Sequence, residues 1–125
     1  MLRILSLKDS EEVNKIINDM LEKDVHASPG YMKLFVDYLG WEALYVHYED
    51  YGGVVLVPFF KRKINDTDYF DLVGPWYFGG PLVNVTSKET FKGFLKGLSE
   101  WCKENNIVSE FQRFNPLLKN QELYP

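Results

Sequence analysis

A chain of 125 residues can bury one hydrophobic core but not two, so it is read as one domain. Fourteen basic residues against eighteen acidic ones leave a net charge of −4, and without a basic cluster nucleic acid is disfavoured as a main ligand. A single cysteine, Cys102, excludes a disulfide framework and a thiolate metal site.

Leu2 to Leu7 alternates apolar and polar side chains and predicts a first strand. Asp9 or Ser10 is placed to cap the helix that follows, and Glu11 and Glu12 suit its positive end. Val13, Ile16, Ile17, Met20 and Leu21 give that helix one apolar face to about Lys23. Ser28-Pro29 opens a second helix, since serine caps and proline is tolerated in a first turn. Tyr31, Leu34, Phe35, Tyr38 and Leu39 form its stripe, and Gly40 is placed to end it. Glu42 to Tyr48 and Val54 to Lys63 are two strands of a hairpin, with Glu49 to Gly53 as the turn. Pro58 cannot donate to a strand ladder, so it marks an edge, a bulge or one unpaired position. Asn65 to Asp68 is a second turn and Tyr69 to Val73 a third strand.

Gly74-Pro-Trp-Tyr-Phe-Gly-Gly-Pro81 then punctuates the chain, and predicts a strand that stops, turns sharply and resumes beside itself. Thr86 and Glu89 form a capping box for a third helix, with Phe91, Phe94, Leu95, Leu98, Trp101 and Cys102 as its stripe and Trp101 as its buried centre. Ile107 to Phe114 is the last strand, stopped by Asn115-Pro116. The domain therefore spans 1–116, and 117–125 is an irregular tail. The element order is β-α-α-β-β-β-α-β, a mixed α/β (α+β) sheet with helices on both faces and a parallel crossover into the last strand.

Several side chains stand out. Trp76 and Tyr77 beside the Gly-Pro turn either stack on a ligand or plug the end of the sheet. Arg113, on a strand expected to be central, must meet Glu110, Asp71, a ligand or water. Asn115 before a proline either makes a local turn bond or touches substrate. Glu110 could act as a general base only with a raised pKa and an amine within reach. His26 falls between helices and His47 in a strand, neither with ligand-spaced companions, so no metal site is expected. Lys61-Arg62-Lys63 reads as a solvated strand end and Cys102 as a core residue. No run has the length of a membrane span and the amino terminus lacks a signal-peptide pattern, so the cytoplasm is the expected location.

Ser28-Pro-Gly-Tyr31, Leu56-Val-Pro-Phe-Phe-Lys-Arg62, Gly74-Pro-Trp-Tyr-Phe-Gly-Gly-Pro81 and Ser109-Glu-Phe-Gln-Arg-Phe-Asn-Pro116 carry a further signal through their order and spacing. From about Ser28 to Asn120 the chain resembles the amino-terminal, acetyltransferase-like (GNAT-fold) half of Fem-type aminoacyltransferases. The resemblance implies two such halves in a full-length protein, which transfers an acyl or aminoacyl group to an amine or hydroxyl. The acceptor would be a cell-envelope glycan, a peptidoglycan precursor or a related metabolite. It also implies that this chain is a truncated GNAT-like domain, the acceptor-side half, with Trp76, Tyr77, Arg113 and Asn115 binding substrate and no catalytic or metal residue of its own. One departure matters. Where the family places a glycine-rich turn for the coenzyme A diphosphate, Gly79-Gly-Pro-Leu-Val-Asn-Val-Thr86 runs its glycines into a proline and not into a helix. No cofactor is therefore expected in this chain, while acyl-CoA or aminoacyl-tRNA is the implied donor of a full-length protein. The expected partner is a small-molecule or glycan acceptor, with no direct nucleic-acid contact. The alternative is a non-catalytic binding or self-assembling module, since half a fold leaves a strand edge and apolar surface, and homo-oligomerisation stays open.

Overall fold

Two long strands joined by Tyr51-Gly52 form the centre of the sheet. β2 (Glu42–Asp50) and β3 (Gly53–Lys63) pair antiparallel without a break, from Glu42 opposite Lys61 to Asp50 opposite Gly53. Tyr51 and Gly52 have φ of 52° and 75°, the two-residue turn whose twist matches that of the strands it joins. The computed structural model describes residues 1–84 and 87–124. β1 (Leu2–Ser6) adds antiparallel to β2, β4 (Phe70–Val73) antiparallel to β3, and β6 (Ile107–Phe111) parallel to β4. The short β5 (Leu82–Val83) also pairs with β3, completing a six-stranded, mostly antiparallel sheet of order β1-β2-β3-β4-β6. With α1 (Ser10–Asn18), α2 (Pro29–Leu39) and α3 (Lys88–Glu104) this is the expected α+β fold, with α3 as the parallel crossover.

Strand periodicity divides the core in two. Ala43, Tyr45, Leu56 and Phe60 pack with Val13, Ile17, Met32 and Phe35 of α1 and α2. The alternate residues Leu44, Val46, Val55, Val57 and Phe59 pack with Phe91, Phe94 and Leu98 of α3. Helices therefore cover both faces. Among the described residues, no helix is long and apolar enough to cross a membrane.

Pro58 is explained by how β3 is shared. Its free edge pairs with β5 at Val55–Leu56 and with β4 at Phe60–Lys63, and Pro58 falls in the gap between them. Val73 opposes Phe60 and Leu82 opposes Leu56, so nine chain steps on one side answer four on the other. The chain thus resumes in line with itself along β3, not beside itself as expected, and Gly74–Pro81 loops out of the sheet.

Other expectations are corrected. α1 stops at Asn18, and Leu21 is exposed because the chain has already turned to bond Val83. Asp9 does not cap α1; its carboxylate accepts from the Ser6 N–H at 2.9 Å in a capping box one turn earlier. α2 begins at Ser28-Pro29 and ends at Gly40 with φ 69°, as read, but buries Met32 and Phe35 while Leu34 and Tyr38 face water. In α3 Phe94 is fully buried and Trp101 only partly so. Thr86, the expected cap of α3, lies outside the described residues, and the Ser87 hydroxyl accepts from the Thr90 N–H at 3.1 Å. The segment after Pro116 is irregular apart from one 3₁₀ turn, yet it is docked: Leu118 packs on one core and Leu123 and Tyr124 on the other.

Candidate functional site

The looped-out segment Gly74–Pro81 crosses the end of the sheet between α2 and the chain leaving β6. The Gly74 N–H donates to the Phe111 carbonyl at 2.9 Å and the Gly79 N–H to the Arg113 carbonyl at 2.6 Å. From α2, the Tyr31 hydroxyl donates to the Trp76 carbonyl at 2.9 Å. The buried Asn120 amide donates to the Gly79 carbonyl at 2.9 Å and to that of Pro81 at 3.4 Å. Gly80 has φ 96°, and a Cβ there would lie 2.7 Å from Asn120 Nδ2 and 2.8 Å from Phe114 Cδ1. Only glycine meets both conditions.

A segment pinned so often still presents two large aromatic side chains to water. Trp76 is 54% and Tyr77 66% exposed, and Tyr77 has φ 74°, a left-handed conformation that bulky residues rarely adopt. The Trp76 ring meets Phe35 edge-on at 5.3 Å between centroids, so it is braced against the core. With Phe111 and Arg113, Trp76 and Tyr77 line a cleft of about 200 Å³.

Three of the four expected site residues therefore converge. Arg113 does so for a different reason from the one expected. β6 is an edge strand ending at Phe111, so Arg113 lies beyond it, exposed, and not in the middle of the sheet. Asp71 is taken by Arg62, which grips it through two bonds of 2.9 and 2.8 Å across β3 and β4. Glu110 accepts from Gln112 at 3.1 Å. Among the described residues no ion pair engages Arg113. Asn115 does not join the cleft. It is buried, its Oδ1 accepts from the Leu117 N–H at 3.0 Å, and its Nδ2 donates to Asp24 Oδ2 at 3.1 Å. The turn bond is its role.

That last contact leads to a pair that sequence reading missed. Asp24 caps the 3₁₀ turn Val25–Ala27, and its Oδ1 accepts from the His26 N–H at 3.0 Å and from His26 Nδ1 at 2.5 Å. The turn is tied to the core by the Tyr45 hydroxyl, which donates to the Ala27 carbonyl at 2.6 Å. The Asp24 side chain is 6% exposed and that of His26 20%. Around the imidazole stand Tyr31 at 5.0 Å, Phe78 at 5.7 Å and Tyr77 at 6.2 Å between ring centroids. Nε2 has no hydrogen bond among the described residues and is not sealed from solvent. The available signal was a carboxylate two residues before a histidine, at a position that caps a turn.

No protein-family model matches this chain, and no curated protein matches it in sequence. Among solved structures it is similar to the crystal structure of TTHA1254 from Thermus thermophilus, at 13% identity and a TM-score of 0.47, over 98% of this chain and 82% of that one.

The Gly79-Gly80 turn does not fit a diphosphate. The Gly79 amide is already bonded to Arg113, and Asn120 and Phe114 fill the space above Gly80. Other candidates are less suited to chemistry. Burial, then the Glu110 charge, pushes the Cys102 thiol up to about 11, so it is almost wholly protonated near neutral pH. Desolvation pushes the Glu110 carboxyl upward against the pull of Gln112, but the residue is exposed on an edge strand, and water screens the effect. Burial, then the Tyr77 and Asp24 charges, raises the Tyr31 hydroxyl, which stays a hydrogen-bond donor. Among the described residues no group of three or more His, Cys, Asp or Glu could hold a metal ion.

Proposed function

We propose that this cleft is the acceptor-binding surface of an acyl- or aminoacyltransferase acting on a cell-envelope glycan, a peptidoglycan precursor or a related metabolite. The donor, acyl-CoA or aminoacyl-tRNA, would be held elsewhere in a full-length cytoplasmic protein, because the glycine turn here has no room for it. The observation that carries the reading is the convergence, at one cleft, of two exposed aromatic rings of the pinned loop and a guanidinium from the chain after β6 that has no ion pair among the described residues. Aromatic faces stack on the apolar face of a sugar ring, and a guanidinium recognises a carboxylate through paired N–H donors. Muramyl dipeptide carries both features and serves as the probe. Its binding, followed by NMR, should weaken in Trp76→Ala and in Arg113→Ala. Binding of neutral N-acetylglucosamine should weaken only in the former. Equal binding by wild type and both variants would overturn the reading.

A self-assembling module is the second reading, and β6 favours it. Its outer edge is unpaired among the described residues, and Val108 and Phe111 are 59% and 64% exposed. Light scattering should then show a dimer or larger species dispersed by Val108→Lys. A monomer at all concentrations would remove this reading.

A further inference from the structure

We propose that the notch at the end of β3, between Trp41 and the Lys61-Arg62-Lys63 run, binds the phosphate group of a small phosphate monoester. The notch exists because β3 outlasts its neighbour. β2 begins at Glu42 opposite Lys61, so Arg62 and Lys63 run on past it, while the preceding chain reaches β2 from the end of α2 at Gly40. Gly40, Trp41, the three basic residues and Asp71 line the resulting cleft of about 390 Å³. It shares no lining residue with the cleft at Trp76 and Tyr77, and its role does not depend on that cleft's.

Three cations and one carboxylate line this notch in a chain whose overall charge is −4, so positive charge gathers there against the general sign. The carboxylate is already engaged. Asp71 accepts from Arg62 Nε and Nη2 at 2.9 and 2.8 Å, which orients the guanidinium and leaves Nη1 without a hydrogen bond among the described residues. The same guanidinium lies over the Trp41 ring at 5.0 Å and Lys61 Nζ over the Phe70 ring at 4.2 Å, so both cations are held in place with their charge intact. Neither Lys61 nor Lys63 has an ion pair among the described residues, although Glu42 stands opposite Lys61 in the ladder. The half-buried Trp41 adds an indole N–H with no acceptor among those residues. A phosphate monoester carries nearly two negative charges at neutral pH and three acceptor oxygens, which matches an excess of two positive charges and the donors of lysine, arginine and indole. The notch is larger than a bare oxyanion needs and leaves room for the esterified body. Three cations suit one anionic group and are too few to track a polyanion.

Glucose 6-phosphate, inorganic phosphate and glucose are the probes, each titrated at constant ionic strength set with chloride. Binding is followed by NMR through the Trp41 indole N–H resonance, assigned with Trp41→Phe. Glucose 6-phosphate should shift that resonance saturably, inorganic phosphate should bind severalfold more weakly, and glucose should leave it unmoved. Lys61→Gln and Lys63→Gln should each weaken glucose 6-phosphate severalfold at an unchanged urea midpoint. Arg113→Ala removes the cation of the other cleft and should leave this binding as it is. No saturable response to either phosphate would overturn the assignment, as would inorganic phosphate binding as tightly as the ester. A loss in Arg113→Ala with none in the lysine variants would move the anion to the other cleft and overturn it too. A further rival is structural: the lysines could merely offset the negative end of α2 at Gly40. In that case both lysine variants lower the urea midpoint and bind glucose 6-phosphate no worse than wild type, and the notch is no binding site.

Discussion

Asn120 shows how much of the cleft depends on single polar side chains remote from it. Its amide supplies donors to the Gly79 and Pro81 carbonyls and its Oδ1 accepts the Asn115 N–H at 3.2 Å, all in a buried setting. Removing the side chain strands those groups, and each unsatisfied buried group costs about 1–3 kcal/mol. Asn120→Ala should therefore lower the urea midpoint and also loosen the turn that carries Trp76 and Tyr77. A variant with wild-type stability would show that water replaces the amide. At this scale the sequence was partly readable. Asn115 was open to a turn bond because its proline neighbour restricts it locally. The surroundings of Arg113 depended on which strand lies outermost, a property of pairing across the whole sheet, and no local pattern encodes that. Asp24 and His26 were two residues apart in plain view, but their pairing depends on Asp24 capping a turn that Tyr45 fastens from β2.

The helices separate what periodicity determines from what it leaves open. A stripe of Tyr31, Leu34, Phe35 and Tyr38 and one of Met32, Phe35, Val36 and Leu39 both repeat at helical spacing, and contact with the sheet selects the second through Met32 and Phe35. The centre of α3 was likewise displaced. Phe94 is sealed beneath the sheet, while Trp101 keeps part of its surface in water toward the end of the helix. Phe94→Ala should cost about 3–5 kcal/mol, the usual range for emptying a buried aromatic site. Trp101→Ala should cost less, despite the larger side chain. Chemical denaturation of the two variants decides the order, and equal or reversed costs would contradict the burial argument. Gly93 belongs to the same packing. A helix interior normally disfavours glycine, but a Cβ there would collide with the Tyr48 hydroxyl oxygen, so α3 approaches β2 only because the position is bare.

Across the whole molecule, one sheet insulated on both faces makes a buried titratable group consequential. The element order was legible because alternation along β2 and β3 and the length of the crossover are local properties of the chain. The looped-out Gly74–Pro81 was not, since it depends on where two separate strands meet β3. His47 is placed by the same alternation: it sits in β2, buried, opposite Arg3 of β1, with Nδ1 lacking a hydrogen-bond partner among the described residues. Desolvation first, then the Arg3 charge, lowers its pKa; Glu49 and Glu12 pull the other way, and the amino terminus adds a smaller lowering; Asp19, just after α1, lines the same cavity. A histidine with a depressed pKa binds its proton more readily in the unfolded chain than in the folded one. Its contribution to stability is complete above the unfolded value, about 6.5, and is lost as pH falls through the folded value. Urea denaturation should accordingly give a higher folding free energy at pH 7.5 than at pH 5.0, and His47→Gln, which cannot take up the proton, should narrow that difference. An undiminished difference in the variant would mean that other groups drive the acid loss and that His47 charges in place without disturbing the core.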